Sequence, residues 1–173
     1  MRSANPVHIR GDHPQRHGTP FEVRHNSCVE IASGPWSADT IAEFLADAVI
    51  PVRLASTGSA GPLVQSLWFT WMDDALWCCT QSDSVLASRI ARDSRVGFEI
   101  AGDDPPYRGV RGRGLAEFRP EAAATLLPML ITRYLGSTEG DLATWLLGRL
   151  DTETAIRIHD LRVTSWDYTP RMA

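Results

Sequence analysis

A chain of 173 residues is about one domain's worth and long enough to bury a real core. Its 21 acidic residues outnumber 17 basic ones, and the net charge of -4 excludes a global electrostatic pull toward nucleic acid or an anionic membrane. No apolar run reaches the roughly eighteen residues of a membrane span, the N-terminus lacks a signal peptide's apolar stretch, and three cysteines are an odd count for a disulfide framework; a cytoplasmic protein with no membrane or nucleic-acid partner is expected.

Residues 1–30 read as a flexible N-terminal arm and residues 31–173 as the folded domain. The arm holds four of the five histidines and several prolines but few apolar side chains, too few to offset the entropy of ordering it. His8, Asp12 and His13 have metal-like spacing without a supporting second shell, so no metal site is assigned. From Ser37 the pattern turns helical. Ser37 is a candidate cap, Asp39 favours the positive helix end, and Ile41, Phe44, Leu45, Ala48 and Val49 share one face. After Pro51 the period becomes two: Val52 and Leu54 alternate with Arg53 and Ala55, and "TGSAGP" turns the chain into a hairpin. "LVQSLWFTW" reads as one continuing strand with Leu63, Leu67, Phe69 and Trp71 on one side. "MDDA" turns it again into "LWCCT", where Cys78 and Cys79 must face opposite ways.

"TQSDSVLASRIARD" reads as a polar loop feeding a short helix, with Ser82 or Ser84 as cap and Leu86 and Ile90 on the buried side. Strand end, hydroxyl-rich loop and helix start together offer free N–H groups to an anion, although Ser and Thr are also ordinary caps. "SRVGFEIAG" follows as a strand burying Val96, Phe98 and Ile100. Pro105 and Pro106 then break the chain before "YRGVRGRGLAEF". Tyr107, Arg111 and Arg113 share one face there, opposite Arg108, Val110, Gly112 and Gly114, whose missing side chains admit another backbone or a flat ligand. Arginine forks match phosphate oxygens, so Arg108, Arg111 or Arg113 are candidates to reach the hydroxyl loop; pairing with Asp103, Asp104 or Glu99 is the plain alternative.

Residues 120–150 read as two helices, with Pro120 at the start, a kink or a new turn at Pro128 and a cap at Gly136. In "ETAIRIHDLRVTSWDYT", Ile156 and Ile158 have one parity and Leu161 and Val163 the other, so a bulge is expected near His159 or Asp160. Six strands with peripheral helices point to a mainly β, α+β domain built as a small antiparallel barrel. No triad pattern stands out. Ser66, Cys78 and His159 read as structural singles, and no catalytic residue is assigned.

The run "VRLASTGSAGPLVQSLWFTWMDDALWCCTQSDSVLASRIARDSRVGFEIAGDDPPYRGVRGRGLAEF", with "RYLG" and "RVTSWDY", resembles the pyridoxamine 5'-phosphate oxidase-like, FMN-binding split-barrel proteins over residues 38–168. That resemblance implies a six-stranded antiparallel split β-barrel that dimerises with itself, with FMN at the subunit interface. It places the phosphate at Thr80, Gln81, Ser82 and Ser84, the isoalloxazine along Gln65, Ser66, Leu67 and Trp68, and Trp166 at the partner-facing end. Relatives carry a basic pair where this chain has Val85 and Leu86; Arg108, Arg111 or Arg113, or else Arg89, are expected to compensate. The end of the chain, Arg171-Met172-Ala173, differs from the basic tail of the vitamin B6 oxidases. The implied function is an FMN-dependent oxidoreductase acting on a small organic substrate. The alternatives are a deazaflavin-dependent reductase or a non-catalytic flavin- or haem-binding protein.

Overall fold

The computed structural model describes residues 29–173. The expectations for His8, Asp12, His13 and Cys28 lie outside the described residues. Eight strands form one curled sheet: β1 (Glu30–Ser33), β2 (Val52–Ser56), β3 (Leu63–Leu67), β4 (Phe69–Met72), β5 (Ala75–Gln81), β6 (Arg95–Ala101), β7 (Arg108–Arg119) and β8 (Glu153–Asp167). Their order is β3-β2-β6-β7-β8-β5-β4, with antiparallel neighbours throughout, and β1 lies beside β8 in parallel. The result is a mainly β half-barrel with helices α1 (Ala38–Asp47), α2 (Val85–Ile90), α3 (Ala123–Leu135), α4 (Asp141–Leu147) and α5 (Thr169–Met172) around it.

The strand count exceeds the expected six for two reasons. β1 reads "EIAS", with all four residues exposed, so it carries no burial alternation to announce it. The expected single strand across 63–71 is interrupted at Trp68. There the Phe69 N–H leaves the ladder and donates to the Tyr134 hydroxyl at 3.2 Å, while that hydroxyl donates to the Ile50 carbonyl at 3.0 Å. The Tyr134 ring stacks on Trp68 at 5.0 Å and 8°, so one side chain of α3 sets both the break and the lie of the indole.

Alternation elsewhere matches the core. Val52, Leu54, Val96, Phe98, Ile100, Val110, Ile158 and Val163 fill the barrel interior, and Ile41 and Leu45 of α1 close it from one end. Each such side chain contributes about 1.5–3 kcal/mol of burial, an upper figure when referred to an extended chain. Val49, expected on the buried face of α1, lies past the helix end and is exposed. Ser37 caps α1 as its sequence implies, accepting from Thr40 N–H at 3.2 Å. At the other end of α1, Arg133 of α3 donates to the Ala46 and Ala48 carbonyls at 2.6 and 2.8 Å, supplying the cation that the last turn itself lacks.

The longest pairing, β7 with β8, carries the expected bulge. Arg113 faces Arg162 and Leu115 faces His159, leaving an extra residue on β8, and Asp160 takes φ 51° there. Gly112 and Gly114 are covered by the protein's own chain, not by open space for a ligand. A Cβ on Gly112 would stand 2.5 Å from the Arg162 carbonyl oxygen and 2.7 Å from the Phe98 ring. Pro128 lies inside α3, where no break divides the helix, and Gly136 ends it at φ 82°.

Candidate functional site

Three layers leave a gap between the sheet and the outer helices. α3 packs Leu126 and Leu130 against Trp77, Ala75 and Ala155 of the sheet, and Leu127 and Ile131 turn to Ala143 of α4. Between them lies a cavity of about 350 Å³. Ser66, Leu67 and Trp68 border it from the end of β3, Cys79, Thr80 and Gln81 from the end of β5, and Ser84 from the cap of α2. Leu127, Leu130, Leu142 and Leu146 form its apolar wall, and Arg149 and Glu153 close it beside β8.

The polar end follows from local structure. Ser84 caps α2 by accepting from Ala87 N–H at 3.0 Å, and its hydroxyl lies 3.1 Å from that of Thr80. Two hydroxyls carry two protons and one serves their mutual bond, so one donor is left for a guest. Gln81 is paired with Glu153 across the β5–β8 ladder, and its Nε2 donates to Glu153 Oε1 at 2.6 Å. The Thr152 hydroxyl lies 2.9 Å from both Gln81 Oε1 and the Arg149 carbonyl oxygen, and its one proton serves one or the other. The Arg149 guanidinium lies 4.3 Å over the Trp145 ring and 3.9 Å from Glu153.

The structure thus gathers Ser66, Leu67, Trp68, Thr80, Gln81 and Ser84 around one cavity. The other candidates lie elsewhere. Gln65 does not line the cavity, and its Oε1 is buried with no partner among the described residues. Ser82 borders a neighbouring hollow with Asp83, Ala87 and Phe118, and its N–H donates to the Thr152 carbonyl at 2.8 Å. Arg89 holds the β2–β3 hairpin, donating to the Ser56 and Gly61 carbonyls at 3.2 and 2.9 Å. Arg108 lies near Asp47 and Asp104.

Arg111 and Arg113 line a groove of about 580 Å³ across the sheet's outer face, with Arg53, Gly97, Glu99 and Arg162. Arg111 also lies 5.7 Å from the Trp166 ring. In this subunit, then, no β7 arginine borders the hydroxyl cavity; its cation is Arg149, together with the carboxylate of Glu153. Neither was singled out from sequence. The available signal was the pairing of the two strand ends that carry Gln81 and Glu153, which sets residues 72 positions apart side by side.

Of the two described cysteines, Cys78 is buried and Cys79 is half-buried at the cavity wall. Burial, and then the Glu153 charge, push the Cys79 thiol from an ordinary 9.0 up to about 12, and burial pushes Cys78 up further. A raised native value means that stability from the neutral thiols is fully present below pH 9.0 and is lost as pH climbs toward about 12. In a Cys28→Ser background, an aromatic disulfide reagent at neutral pH is therefore expected to label the half-buried Cys79 slowly and the fully buried Cys78 only after denaturant is added. Rapid labelling of the native protein would contradict this burial.

No family model matches the chain, and no curated protein does either. Solved structures do. The chain is similar to the conserved hypothetical protein Rv2991 of Mycobacterium tuberculosis, at 27% identity and TM-score 0.67, over 80% of this chain and 89% of that one. It is similar in fold to an F420 reductase at 22% identity and TM-score 0.56, over 68% and 90% of the two chains. A Listeria innocua protein named after pyridoxamine 5'-phosphate oxidase aligns at 18% identity and TM-score 0.54, over 72% and 95%. With its curled antiparallel half-barrel, the chain has the fold of the pyridoxamine 5'-phosphate oxidase-like split-barrel family.

Proposed function

We propose that the chain binds a flavin-type coenzyme, FMN in the first reading and a deazaflavin in the second, and works as an oxidoreductase on a small organic molecule. The observation that carries this reading is the cavity itself. It brings the β3 segment Ser66 to Trp68 together with the hydroxyls of Thr80 and Ser84, polar at one end and walled by four leucines on the other side. That donor set fits a ligand with a flat ring at one end and an anion at the other. The fold likeness to an F420 reductase is the specific support for the deazaflavin reading.

When bound, such a coenzyme supplies the hydride chemistry. The chain's own residues then have limited tasks. Thr80 and Ser84 would hold the anionic end through the hydroxyl proton left over from their mutual bond. Leu127, Leu130, Leu142 and Leu146 would keep water from the ring and lower the local dielectric. Trp68, already fixed by Tyr134, would set the wall by which the ring enters. A second copy of the chain would seat on the groove across the outer face, which Ala32, Ala55 and Gly97 line.

The absorption spectrum of the purified protein tests the coenzyme reading, before and after reconstitution with FMN or the deazaflavin coenzyme. Flavin bands or the single deazaflavin band, retained through gel filtration at twice the chain's mass, are the expected result. A Soret band would favour a haem-binding protein. A colourless monomer that retains neither coenzyme would refute the proposal.

A further inference from the structure

The cavity holds one guanidinium and one carboxylate, and the two are tied down in different ways. The Glu153 side chain is 7% exposed, against 33% for Arg149, and its Oε1 is taken by the Gln81 amide. The carboxylate is thus locked into the sheet. Arg149 stands 3.9 Å from it, well beyond the roughly 2.7–2.9 Å of a charge-assisted hydrogen bond. Its guanidinium donates no hydrogen bond among the described residues and is held by its face against Trp145. Stacking fixes the plane of the fork while leaving its edge N–H groups free. Arg89 and Arg133 spend their donors on backbone carbonyls; Arg157 shares the loose 3.9 Å pairing with a carboxylate, that of Glu117, but does not border the cavity.

We propose that Arg149 grips the phosphate of the coenzyme and that Glu153 limits how tightly it does so; this deepens the coenzyme reading and rests on it. A planar fork with free edges is matched to two phosphate oxygens, and the hydroxyls of Thr80 and Ser84 border the same cavity. The Arg149–Glu153 pair is neutral as a whole. A phosphate arriving on Arg149 draws it further from Glu153, whose buried charge then repels the newcomer across a low-dielectric wall. The two residues therefore act on affinity with opposite signs. A merely structural ion pair would not show that signature.

The test compares dissociation constants for FMN and riboflavin, which differ only in the phosphate, by quenching of flavin fluorescence; the deazaflavin coenzyme and its phosphate-free riboside form a second pair. Wild-type protein is expected to prefer the phosphorylated member. Arg149→Gln should reduce that preference by roughly ten- to a hundredfold while riboflavin binding holds, the loss of one charged hydrogen-bonding partner, and Arg149→Lys should restore part of it. Glu153→Gln keeps an oxygen for the Gln81 amide and should raise the preference. An unchanged preference in Arg149→Gln overturns the inference. So does a loss in Glu153→Gln equal to that in Arg149→Gln, or a loss confined to the double variant Arg111→Gln/Arg113→Gln. The coenzyme reading fails separately, and takes the inference with it, if wild-type protein binds neither member of either pair.

Discussion

Gly112→Ala is expected to destabilise the fold by about 3 kcal/mol or more, enough to leave much of a marginally stable domain unfolded. Gly112 lies mid-strand in β7, between Phe98 on β6 and Val163 on β8. Its missing Cβ is the space taken by the Arg162 carbonyl oxygen and the Phe98 ring. The carbonyl is part of the sheet's backbone and cannot rotate away as a side chain tip would. Any relief requires β7 and β8, the two longest strands, to part. The control is Gly97→Ala, whose Cβ would meet Ala55 Cβ at 3.6 Å and the Gly112 oxygen at 3.8 Å, both ordinary contacts. Within a single subunit that variant is expected to be neutral or stabilising by up to about 1 kcal/mol. Urea unfolding of both variants checks the pair; equal midpoints would show that β7 does not approach its neighbours so closely.

Leu86→Lys is expected to cost about 4 kcal/mol or more, whereas Val85→Lys should stay within roughly 0.5 kcal/mol of wild type. The family resemblance leads one to look for a basic pair at these two positions. Leu86, however, is fully buried in the main core, and Val85 is 61% exposed. The register of α2 is set by its cap: Ser84 fixes the first turn, so Leu86, Ala87 and Ile90 must face the sheet. A lysine at 86 would lose the leucine's packing and bury an ammonium without a partner, and it would shed its proton in preference to staying charged. Thermal unfolding with pH as a variable checks this. A Leu86→Lys protein as stable as wild type would show that the helix can roll, and would reopen position 86 as a phosphate ligand.

Much of the fold was legible because local rules and burial agree there. Val96, Phe98 and Ile100 alternate and are buried; Ser37 and Ser84 cap their helices; Gly136 ends α3; and the parity change around His159 and Asp160 is the bulge. What escaped the sequence was set from a distance. The break at Trp68 is made by a hydroxyl 65 residues away, and β1 is held by pairing with β8 while all of its residues stay exposed. Half of the candidate site was legible in the same way. The hydroxyl loop announces itself by residue type and the β3 segment came only with the family resemblance, but Arg149 and Glu153 join them only because β5 and β8 pair. The arginines of β7 drew notice by their density, and strand parity placed two of them on the sheet's outer face. Charge density along a chain says nothing of which side of a sheet it reaches.

The most direct test of the central claim is a crystal structure of the protein grown with FMN, or with the deazaflavin coenzyme if the spectrum favours it. The account predicts ring density against the Ser66–Trp68 segment and the leucine wall, with phosphate density among Thr80, Ser84 and Arg149. A coenzyme seated elsewhere, or a cavity filled only with ordered water at saturating coenzyme, would contradict it.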